Sequence, residues 1–318
     1  AVLGDPHFIT FDGVTFTFNG KGEYTLVHSP AFQLSVQGRT EPMRFENGSS
    51  ALATRLCSVA MKEKDSDIIE VRLADTADQL QVFMNQQELL FFEQKWIDLK
   101  GVFVFSPKPS NVTVMFPSGA GLEVRTSAGV MTLTVLLPHD LQNHTFGLLG
   151  TMNDNPQDDL TSSDGTIIPS NSSAQDIFSY CAGWSYRQDQ WPHDPSFIPN
   201  FSMTEDPEDP LVEATLRLCS GDGADFCKYD ALSMRSLKQG NATLRAYRSH
   251  TDTQTALEPV QSCGWLSPPN HGQKEGTLYL EGATVSFSCN RGYGLFGSQN
   301  RTCQADGTWS GQDTHCVA

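Results

Sequence analysis

Apolar and polar positions alternate along most of the first half of this chain. Val14-Thr15-Phe16-Thr17-Phe18 opens the pattern, Asn19-Gly20-Lys21-Gly22 supplies turn chemistry, and Glu23 to His28 returns as the second arm of a hairpin. Phe32, Leu34 and Val36 alternate again, and Ser58 to Lys62 and Ile68 to Leu73 flank the polar turn Lys64-Asp65-Ser66-Asp67. Val102 to Phe105, Val112 to Phe116, Leu122 to Arg125 and Val130 to Leu137 follow, parted by Pro and Gly clusters. Turns spaced by roughly ten residues, with period-two strands between them, predict an all-β sandwich or barrel.

The texture changes after Trp184. Residues 185–212 are rich in Pro, Asp and Asn; Leu211 to Leu218 reads as a helix, and Asp230 to Ala246 as a second. Between them Cys219 and Cys227 enclose an acidic, Gly-containing loop, which predicts a local disulfide holding two short helices. Residues 251–261 read as a linker. From Cys263 the chain is a small module with four cysteines, Cys263, Cys289, Cys303 and Cys316, and so short a unit needs cross-links to hold a core. Trp309 is its expected core residue. The resulting division is 1–184, 185–260 and 261–318.

Composition narrows the setting. The net charge of -16 argues against nucleic acid or an anionic membrane surface as partner, since both need a basic face. Eight cysteines fit an oxidising compartment. Sequons at Asn47, Asn111, Asn143, Asn171, Asn200, Asn241 and Asn300 point to a glycosylated ectodomain. The chain opens at Ala1 without methionine or signal sequence and holds no apolar run of the roughly 20 residues that span a bilayer. It is therefore read as an excised piece or mature fragment, and any transmembrane anchor would lie outside it. Cys57 and Cys181 are expected to pair, the alternative being a bridge from one of them to an upstream segment.

Residues 4–13, Gly4-Asp5-Pro6-His7-Phe8-Ile9-Thr10-Phe11-Asp12-Gly13, carry the sharpest chemistry. Proline makes the Asp5–Pro6 amide tertiary and its nitrogen easier to protonate. The Asp5 carboxylate is placed to attack its own carbonyl carbon through a five-membered ring, giving a cyclic anhydride and a free Pro6 amine. His7, with an ordinary pKa of about 6.5, is the candidate proton donor. Elsewhere, residues 150–160 crowd Asn and Asp oxygens into one short loop that Pro156 stiffens, as a calcium site does, although a self-capped polar turn has the same composition.

The decapeptide resembles the start of a von Willebrand factor type D domain, and the resemblance implies a scissile Asp5–Pro6 bond. It also implies calcium ligands at Asn153, the main-chain oxygen of Asn155, Asp158 and Asp159, with Asp12 completing the shell. Thr151 stands where that family usually has asparagine, and Phe146 and Leu149 replace its loop cysteines, so disulfide-linked polymers are not expected. Cys263-Gly264, Cys289-x-x-Gly292-Tyr293 and Cys303…Gly307-x-Trp309…Cys316 resemble a sushi module, which implies the pairs Cys263–Cys303 and Cys289–Cys316. The expected fold is thus mainly β: a type D β-sandwich, a short helical disulfide-bridged segment and a disulfide-rich sushi module.

No Gly-x-Ser-x-Gly, His-Glu-x-x-His, phosphate loop or Cys-x-x-Cys occurs, and His139 and His144 make a poor metal pair. An enzyme acting on an external substrate is not expected. The domain order resembles cell-surface adhesion glycoproteins, which implies a location on the extracellular side of the cell membrane. The partners implied are the chain's own N-terminal fragment after cleavage and cell-surface or matrix proteins, including a galectin. The competing expectation is an immune or complement-facing receptor that binds protein ligands through the sushi module.

Overall fold

A computed structural model describes residues 1–76, 78–91, 94–186, 192–201, 205–256 and 263–318. The chain opens with three short strands, β1 (Val2–Leu3), β2 (His7–Ile9) and β3 (Thr15–Thr17). A meander follows: β4 (Gly22–Ser29), β5 (Leu34–Arg44), β6 (Ser50–Glu63), β7 (Ile69–Leu73), β8 (Leu80–Met84) and β9 (Gln87–Leu89). These six form one antiparallel sheet in sequence order. The second sheet takes β10 (Trp96–Leu99), β11 (Val102–Lys108), β12 (Asn111–Met115), β13 (Gly121–Ser127) and β14 (Val130–Leu136). It is completed by the first three strands in the order β14-β1-β2-β3, so β1 lies between β14 and β2.

Inward side chains of both sheets share one core, including Phe8, Phe18, Tyr24, Leu26, Val59 and Leu133. The alternation read from the sequence is the burial pattern of these strands: β14, for example, buries Met131, Leu133 and Val135. The expected hairpin of Val14–Phe18 with Glu23–His28 does not form. β3 pairs with β2 while β4 pairs with β5, so the Asn19–Gly22 segment carries the chain from one sheet to the other. The Phe18 and Tyr24 rings meet edge-on at 4.8 Å beneath it, and a Cβ at Gly20 would lie 2.2 Å from the Phe18 ring. Two aromatic side chains directed into the sandwich leave no room for a tight turn within one sheet.

Helix α1 (Ala174–Ala182), which the sequence pattern did not suggest, is capped by Ser173, whose side chain accepts the Asp176 N–H, and packs Ile177, Tyr180 and Cys181 into the core. Helices α2 (Pro210–Leu218), α3 (Ala224–Ser233) and α4 (Leu237–Ala256) form the next unit. Asp209 caps α2 and Pro210 opens it. The single helix expected over Asp230–Ala246 is broken at Arg235, whose φ of 52° is left-handed. The expected linker overlaps the end of α4, and residues 257–262 lie outside the described residues.

The last unit holds β15 (Gly272–Glu275), β16 (Thr284–Cys289), β17 (Gly294–Phe296), β18 (Asn300–Thr302) and β19 (His315–Val317) in two small sheets. Its core is Tyr279, Val285 and Phe287 with Trp309 packed against them, and Trp309 Nε1 donates to the Gly264 carbonyl at 3.0 Å.

Disulfides join Cys219–Cys227, Cys263–Cys303 and Cys289–Cys316. The expected Cys57–Cys181 bond is absent and both are free thiols. Cys57 lies on the outer face of the meander sheet beside Arg39 and Arg55, whereas Cys181 is fully buried in the sandwich core. The sheet itself separates them. Of the sequon asparagines, Asn47, Asn143, Asn171, Asn200 and Asn300 are exposed, and Asn111 and Asn241 are half-buried. Among the described residues no helix is long and apolar enough to cross a membrane.

Candidate functional site

Leu3 pairs with His7, which makes Gly4-Asp5-Pro6 the turn of a tight hairpin between β1 and β2. Gly4 takes a φ of 62°, a left-handed conformation that a side chain would oppose. Turns ordinarily lie on the surface, because their backbone polar groups need water. This one is buried: Asp5 is 1% exposed and His7 0%. The cover comes from α3 and α4, some 220 residues along the chain.

All but one of the side-chain polar atoms of the hairpin's Asp5 and His7 meet a specific partner. His7 Nε2 lies 2.6 Å from Asp230 Oδ1, and His7 Nδ1 lies 2.7 Å from Thr17 Oγ1. The Phe226 ring stacks on the imidazole at 4.2 Å, and Tyr229 meets it edge-on at 5.5 Å. Thr243 donates its hydroxyl to Asp230 Oδ2. Ser233 Oγ donates to Asp5 Oδ2 at 2.5 Å, while Asp5 Oδ1 is buried without a hydrogen-bond partner. The Thr54 N–H is close by, but it donates to Asn19 Oδ1 at 2.7 Å and reaches Asp5 only as a weak second contact.

Burial, and then the neighbouring Asp230 carboxylate, push the Asp5 carboxyl well above the usual carboxylate range, against the pull of the Ser233 hydroxyl and the Thr54 N–H. A carboxyl that keeps its proton changes the chemistry available. Attack by an ionised Asp5 needs an outside proton for the Pro6 nitrogen; attack by the neutral group carries that proton with it. Both nitrogens of His7 are engaged, one with Thr17 and one with Asp230. Sequence reasoning singled out Asp5, Pro6 and His7 but missed Asp230, Ser233, Thr243 and Phe226. Nothing local marked them: the burial of Asp230 beside Cys227 and Ala231 in α3 is a property of the fold and not of the sequence.

The acidic loop is a second cluster on the same strand system. Asp12, Asp158 and Asp159 bring carboxylate oxygens within 4.8 Å of one another, the only such acidic, histidine or cysteine group among the described residues. Asp12 accepts the N–H groups of Asn153, Asp154 and Asn155 at 3.1–3.2 Å. Asn153 donates its amide to Asp158 Oδ2 at 2.8 Å, and Asp158 Oδ1 is buried without a partner. Thr151 turns its hydroxyl away, to the Thr145 carbonyl, and gives its N–H to Asp159 Oδ1. Burial, followed by Asp12 and Asp158 nearby, raises Asp159 to about 6. Three converging carboxylates with an unsatisfied oxygen suit a hard divalent cation. His139 and His144 take no part, and His193 bonds the Tyr24 hydroxyl at 2.7 Å.

Comparison with known proteins follows the same three units. The family model of the von Willebrand factor type D domain matches residues 1–166, that of the mucin-4-like C8-3 domain residues 205–256, and that of the sushi repeat residues 263–316. The chain is 42% identical over 99% of its length to Sushi domain-containing protein 2 of Homo sapiens. It is 32% identical over 99% to Protein mesh of Bombyx mori and 29% identical over 80% to Mucin-4 of Homo sapiens. It spans 40%, 22% and 5% of those proteins, respectively.

Proposed function

The chain belongs to the von Willebrand factor type D domain family, and we propose that it is the extracellular, adhesion-type part of a cell-surface glycoprotein that cleaves its own Asp5–Pro6 bond. The observation that carries the cleavage reading is the asymmetry of the Asp5 carboxyl. Ser233 holds Oδ2, and Oδ1 is sealed in without a partner. A buried, unsatisfied acceptor costs about 1–3 kcal/mol, a ground-state penalty that bond formation by that oxygen relieves. Oδ1 attacks the Asp5 carbonyl carbon, the bond to the Pro6 nitrogen breaks, and the carboxyl proton ends on that nitrogen. Water then opens the anhydride. This is chemistry on the chain's own bond and not turnover of an external substrate.

Calcium is the proposed structural ion. Asp12, Asp158 and Asp159 would hold it with oxygens of Asn153 and Asn155, and it would neutralise the charge that these carboxylates concentrate. Thr10 links this loop to the strand bearing His7, through a hydrogen bond to Asp159 Oδ2 at 2.5 Å. Cell-surface or matrix proteins are the proposed partners, with glycan-binding proteins such as galectins drawn by the sequons, and the setting is the outer side of the cell membrane.

The test is N-terminal sequencing of secreted wild-type protein beside an Asp5→Ala control. A new terminus reading Pro6-His7-Phe8-Ile9 in wild type alone supports self-cleavage; an intact wild-type chain after incubation at about pH 6, where histidine titrates, refutes it. A second reading, a receptor binding protein ligands through the sushi module, is favoured by Phe296 and Val317, which are 66% and 57% exposed on neighbouring strands of its small sheet. Loss of all protein binding on deleting that module would favour it.

A further inference from the structure

We infer that the helical unit is part of the cleavage machinery: Asp230 positions His7, and Ser233 holds Asp5 with its attacking oxygen free. This rests on the self-cleavage reading above and extends it to a second module of the chain.

Geometry makes the case. The scissile turn alone is three residues between two short strands, and its polar groups would face water if α3 and α4 were lifted away. With those helices docked, Asp230 and Ser233 bond His7 and Asp5, respectively. Thr243 from α4 in turn donates to Asp230, so the carboxylate is itself held. Phe226 closes over the imidazole at 4.2 Å, and Tyr229 bonds Asn19 Nδ2 at 3.0 Å, tying α3 to the segment between the sheets. Four side chains of one α-helix thus converge on a turn 223 residues away, the separation of His7 from Asp230.

The roles divide by contact. Ser233 touches the reacting carboxyl and fixes which oxygen attacks. Asp230 touches no reacting atom and acts through His7: its Oδ1 lies 2.6 Å from Nε2, and the ring cannot rotate while Thr17 holds Nδ1. In the balanced step, the carboxyl proton of Asp5 passes to the Pro6 nitrogen as Oδ1 bonds the carbonyl carbon and the C–N bond breaks; His7 supplies no proton and, pinned by Asp230 and Thr17, holds the turn in place. One water then adds across the anhydride. A cleft of about 270 Å³ between β13, β14 and α4 is lined by Gly4, Thr126, Thr243 and His250, which gives that water a route to the turn. Thr126 Oγ1 and both His250 ring nitrogens lie buried without hydrogen-bond partners beside it. Cleavage by this arrangement follows docking of the helical unit, so processing is coupled to completion of the fold.

The titratable groups facing His7 are Asp5 on its own hairpin and Asp230 and Tyr229 on α3, while α4 presents the uncharged Thr243. The experiment is the cleavage half-time of the full chain between pH 5 and 8, read by mass spectrometry of the Pro6 terminus. Wild type is compared with Asp230→Asn, Asp230→Glu and Ser233→Ala, with the melting temperature taken alongside. The expected result is a loss of about 100-fold for Asp230→Asn from misplacement of the turn, with a pH profile altered because the Asp230 charge no longer raises Asp5, partial recovery with Asp230→Glu, and a melting temperature kept within about 3 °C. Ser233→Ala should slow cleavage about 5-fold or more. If Asp230→Asn does not fold, Ser233→Ala decides. Wild-type rates and an unchanged pH profile in folded variants overturn this inference while leaving self-cleavage standing. An uncleaved wild type overturns both.

Discussion

Thr10 and Asp159, 149 residues apart, are joined by a buried hydrogen bond of 2.5 Å. The same Thr10 hydroxyl oxygen accepts the Val14 N–H at 2.8 Å, and Phe11 N donates to the Leu149 carbonyl at 3.0 Å. One side chain therefore fixes the acidic loop to the strand that carries His7. Thr10→Val keeps the shape and removes the hydroxyl, leaving two buried groups unpartnered. A stability loss of about 1–3 kcal/mol is expected, together with weaker calcium stabilisation. Chemical unfolding with and without calcium measures both, and an unchanged calcium response would break the proposed link.

Calcium stabilisation should depend on pH in a definite direction. Asp159 is raised to about 6, chiefly by burial. The native state thus holds this proton more tightly than an unfolded carboxyl of about 3.9 does. Without a cation, the group's contribution to stability falls as pH climbs from about 4 to about 6 and is gone above that. Calcium competes with the proton for the same oxygens. Its rise in melting temperature should be large at pH 7.4, small at pH 5 and reversed by chelator. Equal shifts at both pH values would count against this ligand set.

How much of this was legible in the chain follows from what each residue touches. Strands such as β14 bury alternate residues, and that pattern survives in sequence. β8 and β9 bury only Val82, so their alternation is weak and the edge of the meander was not anticipated. α3 buries Cys227, Asp230 and Ala231, which gives no apolar stripe to read. Asp5 and His7 declared themselves through a local motif. Asp230 and Ser233 could not, because their meaning lies entirely in contacts more than 220 residues distant. Cys57 and Cys181 were paired by elimination, an argument blind to the sheet between them.

Those two thiols give a direct check. Burial raises Cys57 to about 12, so it should alkylate slowly at pH 8 despite partial exposure. Cys181, 0% exposed, should label only after unfolding. Two labelled cysteines in denaturant without reductant are expected by mass spectrometry. None would mean that Cys57 and Cys181 are bonded after all.

Gly4 lies where the hairpin packs directly against the helical unit. A Cβ there would lie 2.3 Å from Asp230 Oδ2 and 2.8 Å from Thr243 Oγ1, on a backbone with φ of 62°. Gly4→Ala should cost about 1–2 kcal/mol for the left-handed backbone alone, and more from the clash that pushes α3 and α4 away. Cleavage should slow more than stability alone accounts for. A variant that melts lower yet cleaves at the wild-type rate would show that the helices need not be seated.

Cleavage should not release the upstream piece at once. Residues 1–5 would stay on it, with β1 held between β14 and β2 and with Val2 and Leu3 at 0% exposure. Burying two such side chains is worth about 3–6 kcal/mol, against an association cost of about 4–15 kcal/mol. Equilibrium affinity for so short a strand is therefore weak, and retention must come from the slow opening of the sheet around it. The three disulfides all lie between Cys219 and Cys316, and none crosses the cut. After cleavage of an N-terminally tagged chain, both pieces should co-elute in native buffer and separate in denaturant without reductant, with a native release rate that follows global unfolding. Immediate release in native buffer would show that β1 is not held by the sheet. Separation only on reduction would place Cys57 or Cys181 in a bridge across the cut.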